Sequence, residues 1–221
     1  MVLVNSKNAF RVVGQETIGL ELCQDLRWRV PDWITIPVGN AGNLTALLIG
    51  LKRAYRHGLL DRLPGILVGQ GQVCDTLVRW DEGGRQPEAY QPGKHQPSVA
   101  SAANISDPVS FPRVAQLINE FDAHFFRVSE EEIQDAQMAV TRSGVDICPQ
   151  TGIALHAMLQ ARDRNLIQES DVVGVISTAT GLKFSESAAE YHTQKQGAQY
   201  ENNFRVAEGS VKAVESVLKS W

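Results

Sequence analysis

The sequence Gly39-Asn40-Ala41-Gly42-Asn43 lies between an apolar, β-branched run at 33–38 (WITIPV) and a long amphipathic stretch at 43–60. A strand that enters a glycine-asparagine turn and leaves as a helix gathers several backbone N–H groups at the helix's positive end. Glycines let that backbone turn tightly and approach a ligand closely. The combination is a phosphate cradle that fits any small phosphate. It is not GxGxxG, because Ala41 takes the third position, and it lacks the lysine of GxxxxGKS. The same residues also suit a plain βα turn with Asn43 as the helix N-cap and no ligand.

Two other segments carry polar groups of the right kind. Asn5, Ser6 and Arg11 are residue types that hold a phosphate or a carboxylate, arginine in bidentate fashion. They equally suit a solvated loop leading into a capped helix. Ser177, Thr178 and Thr180 sit at the carboxyl end of the buried run VVGVIS. Ligands in open α/β sheets bind at the carboxyl ends of strands. The glycine-asparagine loop is also at a strand's carboxyl end, so the two segments are coherent if their strands are neighbours.

The elements that must position these groups alternate in type. Apolar runs at 33–38, 65–69 and 172–177 read as buried strands, and 124–128 reads as a further strand. Helices are predicted over 14–28, 43–60, 111–121, 130–142, 151–162, 185–194 and 211–218. Ser129 followed by three glutamates marks the start of one of them. Strand, glycine turn, helix, strand is a βαβ unit, which implies a parallel sheet and an α/β fold. Residues 79–97, with Gly83, Gly84, Pro87, Pro92, Gly93 and Pro97, read as a loop. Trp28, Trp33 and Trp80 read as packing residues.

Composition excludes several classes. The 221 residues carry a net charge of −4, are 43% hydrophobic and 21% charged. No apolar run approaches the roughly 18 residues of a membrane helix. The mild negative charge, with no basic block, argues against nucleic acid as a partner. Cys23, Cys74 and Cys148 are too widely spaced for a zinc site. Their odd number suits reduced thiols in a cytoplasmic compartment. Length alone corresponds to about one and a half domains.

Taken together, NSKNAFRVVGQET, VPDWITIPVGNAGN, SVASAANISDPVSF, ICPQTGIALHA and VISTATGLKFSESAAEYH resemble the threonine synthase family. Its members are pyridoxal-phosphate enzymes of the tryptophan-synthase-β (type II) fold group. The resemblance implies conversion of O-phospho-L-homoserine and water into L-threonine and phosphate. It implies that Gly39, Asn40, Ala41, Gly42 and Asn43 bind the cofactor phosphate and that Thr178 meets the pyridine nitrogen. It assigns Asn5, Ser6 and Arg11 to the substrate phosphate. Related lyase chemistry, such as serine or threonine dehydration or cysteate synthesis, uses the same frame.

The sequence departs from that pattern at Glu16, Gln150 and Thr180, where the family carries Lys, His and His. It also lacks the Ser-Phe-Lys-Asp motif that carries the Schiff-base lysine, so no catalytic residue is assigned among its seven lysines. The expectation is therefore residues 1–221 as the C-terminal, mainly cofactor-binding portion of such an enzyme, inactive alone, with a tail and terminal helix over 195–221. Its expected partners are a second copy or the missing N-terminal portion. A non-catalytic phosphate-binding remnant is the other reading.

Overall fold

The computed structural model describes residues 8–94, 96–194, 198–200, 202 and 207–220. Four strands form one sheet: β1 (Trp33–Pro37), β2 (Gly65–Gly71), β3 (Ala123–Val128) and β4 (Val173–Val175). Their order is β3-β2-β1-β4 and every neighbouring pair is parallel. The register sets Trp33 against Gly65 on one side and against Val173 on the other. The helices are α1 (Ala9–Gln15), α2 (Ile18–Asp25), α3 (Gly42–Arg56), α4 (Thr76–Glu82), α5 (Phe111–Leu117), α6 (Glu130–Thr141), α7 (Pro149–Asp163), α8 (Ser185–Gln194) and α9 (Val211–Lys219).

Strand alternation divides the core between the two faces of the sheet. Ile34, Ile36, Ile66, Val68 and Phe125 pack with Leu44, Leu47, Leu48 and Leu51 of α3. Trp33, Leu67 and Phe126 pack instead with Ala157 and Ala161 of α7. β1 and β2 are buried throughout, as strands covered on both faces must be. Each fully buried Leu or Ile contributes roughly 1.5–3 kcal/mol of apolar burial. The alanines of α7 let it approach closely. A Cβ at Gly69 would lie 2.8 Å from the Ile153 side chain and 2.9 Å from its carbonyl oxygen. Thr35 spends its hydroxyl on the Ala154 carbonyl at 2.6 Å, which pins the same contact.

Several elements differ from expectation. The helix predicted over 14–28 is two helices that meet at Glu16 and Thr17. Glu16 is 8% exposed, and its carboxylate meets Arg53 Nη1 at 2.6 Å. Its carbonyl oxygen lies only 1.9 Å from where a Cβ on Gly50 would be, so the chain turns hard against α3 there. Arg27 and Trp28 follow α2 with φ of 57° and 62°, which ends that helix. Trp28 is 52% exposed and is not a packing residue.

The described residues from 79 to 94 are not a plain loop. They begin inside α4, where Arg79 bonds Asp75 at 2.9 Å, and include a 3-10 turn at Pro87–Ala89. Tyr90 then stacks on Phe111 at 3.7 Å and donates its hydroxyl to Asp107. The helix predicted over 111–121 tightens into a 3-10 turn at Ile118–Glu120, and β4 is shorter than its apolar run. α6 opens as predicted, with a capping box between Ser129 and Glu132.

Candidate functional site

The carboxyl ends of β1 and β4 are adjacent, because the two strands pair. Between them opens a cavity of about 660 Å³. That lies in the range of small-molecule sites. The loop after β1 forms one wall. Ala41 is the residue before α3 and has φ 60° and ψ 8°, a left-handed conformation that is strained for alanine. Asn43 is therefore the second residue of α3 and not its cap. Its Oδ1 is buried without a partner.

Among the described residues, the backbone N–H groups from Gly39 to Leu44 have no acceptor. Thr45 is the first to find one, on Ala41 O at 2.9 Å. The loop's shape is held from outside. Ser110 N–H donates to Asn40 O at 3.2 Å, and Ala102–Ala103 press against Gly39. A Cβ at Gly39 would stand 2.9 Å from Ala103 Cα and 3.2 Å from two carbonyl oxygens, so only glycine fits.

The loop after β4 forms a second wall, built from side chains. Thr178 Oγ1 and Cys148 Sγ are 3.3 Å apart, and Thr151 Oγ1 accepts the Thr178 N–H at 3.3 Å. Ser177 Oγ meets the same Thr151 hydroxyl at 3.3 Å. Cys148 precedes α7 and is wholly buried. Burial pushes its thiol up, but hydrogen bonds from Thr151, Thr178 and Ala179 outweigh this and hold it below the ordinary cysteine value.

Arg11 and Lys183 bring positive charge to the lining from α1 and from the turn before α8. Phe10, Val13 and Leu182 on these two elements are 84%, 58% and 81% exposed. Three of the sequence-predicted groups thus share one cavity: the loop 39–43, Thr178 and Arg11. Asn5 and Ser6 lie outside the described residues. Among the described residues, no group of three His, Cys, Asp or Glu side chains suits a metal.

A family model described as pyridoxal-phosphate dependent enzyme matches residues 1–179. The chain belongs to this family. It is 36% identical to threonine synthase 2, chloroplastic, of Arabidopsis thaliana over 192 residues, covering 87% of this chain and 37% of that protein. It is 31% identical to the threonine synthase of Methanocaldococcus jannaschii, covering 84% of this chain and 46% of that protein. The chain therefore spans less than half of the length of these two relatives. The crystal structure of threonine synthase from Escherichia coli superposes with a TM-score of 0.68 at 22% identity, covering 98% of this chain and 50% of that one. The fold is thus the parallel α/β fold of type II pyridoxal-phosphate enzymes.

The three departures have different structural fates in this family member. Glu16 is paired with Arg53 and is not part of the cavity lining. Thr180 donates to Asp146 at 2.5 Å and accepts from Leu182 N–H, so it caps the turn at Gly181–Phe184. Gln150 faces the cavity. Ala102, Ala103 and Gln15 also line it and were not singled out from the sequence. The signal for Ala102 and Ala103 was present in SVASAANI, but their function is to leave room, which residue type alone does not reveal.

Proposed function

We propose that the chain is the cofactor-holding portion of an enzyme that converts O-phospho-L-homoserine and water into L-threonine and phosphate. The observation that carries this reading is the unpaired N–H cradle and the Thr178 hydroxyl on one cavity, with Arg11 at its rim. Gly39, Asn40, Ala41, Gly42 and Asn43 hold the phosphate of pyridoxal phosphate through main-chain N–H groups. Thr178 would offer a neutral hydroxyl, not a carboxylate, to the ring nitrogen. When bound, pyridoxal phosphate supplies the electron withdrawal that loosens bonds at the substrate's amino-acid carbons.

Arg11, with Asn5 and Ser6, binds the substrate phosphate, which is the leaving group. Exposed Phe10, Val13 and Leu182 support covering of the mouth by a second copy or by a polypeptide corresponding to the relatives' N-terminal half. The buried, unpaired cysteines support a cytoplasmic site of action. Among the described residues, no helix is long and apolar enough to cross a membrane.

The test uses the full chain, alone and mixed with a polypeptide carrying the Ser-Phe-Lys-Asp motif. Phosphate release from O-phospho-L-homoserine should appear only in the mixture. Arg11→Ala should lower that turnover by at least tenfold and leave cofactor binding within about twofold, as expected for loss of a charged contact to substrate alone. Turnover that survives Arg11→Ala intact removes Arg11 from the substrate site.

A phosphate-binding remnant is the second reading. Of the described lysines, Lys183 alone lines the cavity, and it is exposed. No turnover in the mixture, with binding retained, selects the remnant.

A further inference from the structure

Gln150 is a polar side chain of the cavity lining with a buried donor that nothing accepts. It is the second residue of α7, directly after Pro149, and only 5% of it is exposed. Its Nε2 is buried and has no hydrogen-bond partner. A buried amide donor without an acceptor is destabilising, and folded proteins rarely keep one without cause. The neighbouring polar atoms do not relieve it. Cys148, Thr151, Ser177 and Thr178 bond one another, and none of them accepts the Gln150 amide.

The position of Gln150 also says which part of a ligand it meets. Its chain neighbour Thr151 is bonded to Ser177 and Thr178, and Cys148, two residues earlier, meets Thr178 Oγ1. Gln150 therefore rises from the wall that carries Thr178, one strand away from the N–H cradle. It lines the same cavity as both. A neutral donor there suits an oxygen or nitrogen acceptor on the body of a ligand whose phosphate occupies the cradle.

Resting on the function proposed above, we infer that Gln150 is a specificity-determining residue: its Nε2 donates to an acceptor on the pyridoxal ring, beside Thr178. The cradle selects for phosphate, and Gln150 selects for the ring attached to it. The unbound protein carries the unsatisfied amide as the cost of that selection, a common trade at functional sites.

The experiment measures binding to the full chain by equilibrium dialysis, with two probes. Pyridoxine 5′-phosphate carries the ring and phosphate but no aldehyde, so it forms no lysine adduct. Inorganic phosphate carries only the group the cradle needs. Gln150→Met keeps the length of the side chain and removes the donor. It should weaken pyridoxine 5′-phosphate about fivefold to tenfold, the loss expected for one neutral hydrogen bond. It should leave phosphate binding unchanged and leave the melting temperature of the unliganded chain equal or higher. A structural role would instead lower that temperature.

Unchanged affinity for both probes in Gln150→Met overturns the inference. So does an equal loss for both, which would mean that the residue acts on the cradle. A fall of several degrees in melting temperature overturns it as well. Failure of the unsubstituted chain to bind pyridoxine 5′-phosphate more tightly than phosphate overturns the function proposed above, and this inference with it.

Discussion

The walls after β1 and β4 solve the same problem with opposite materials. After β1 the donors are main-chain N–H groups, and the side chains serve mainly to stay out of the way. After β4 the polar atoms are hydroxyls and a thiol, already bonded to one another and to the start of α7. The contrast predicts that added bulk at Gly39 disturbs the first wall and that loss of a hydroxyl disturbs the second.

The largest effect that would break this contrast belongs to Gly39. Gly39→Ala places a methyl 2.9 Å from the Ala103 backbone, where no flexible atom can yield. The loop or the segment 102–103 must shift. The expected cost is about 1–3 kcal/mol of stability, as for overpacking elsewhere, and at least tenfold in phosphate affinity. Thermal melting and phosphate titration check both. If Gly39→Ala binds phosphate like the unsubstituted chain, the cradle does not depend on that close approach.

Thr178 tests the other wall and should give a smaller effect. Thr178→Val keeps the branched shape and removes the contact with Cys148. Stability should fall by about 1 kcal/mol, the net worth of an ordinary hydrogen bond. Affinity for pyridoxine 5′-phosphate should fall severalfold while affinity for phosphate holds. Removing the hydroxyl partner should also raise the Cys148 thiol, which a pH series of thiol alkylation in the liganded and free chain would report. Equal losses for both probes would erase the proposed division of labour between the walls.

How much of this was legible beforehand depends on range along the chain. β1 and β2 stood out because each is a short apolar run bounded by glycine, proline or a polar turn. The capping box of α6 was legible for the same reason, since Ser129 and Glu132 are three residues apart. The break at Glu16 was not, because it depends on Gly50 and Arg53 of a different helix. The left-handed Ala41 was hidden because alanine ordinarily avoids that conformation.

For the site, the residue types were visible but their meeting was not. Thr178 joins the 39–43 loop only through the β1–β4 pairing, a contact made across some 140 residues of chain. Gln150 could be marked as a departure from a family pattern. That it faces the cavity while Glu16 and Thr180 are tied to Arg53 and Asp146 required the packed structure.

The pairing that makes the two walls neighbours is secured at the opposite end of the strands, and that gives the smallest and most specific prediction. Asp32, just before β1, accepts the Val172 N–H at 2.9 Å and Arg62 Nη2 at 2.7 Å. The bond from Val172, with help from Arg62 and Arg29, outweighs the opposing effect of burial and holds its carboxyl below the ordinary value of 3.8. A carboxylate whose folded pKa is depressed stabilises the fold at pH above its unfolded value. That contribution is lost as pH falls from the unfolded value through the folded one. Asp32→Asn should therefore be less stable than the parent at neutral pH and should converge with it as pH falls below 3.8 through the folded value. Its ligand affinities at neutral pH should change less than those of Thr178→Val, because Asp32 touches β4 at its start and the cavity opens at its end. A difference in stability that stays constant from pH 7 to pH 2 would show that the carboxylate charge plays no part in holding β4 beside β1.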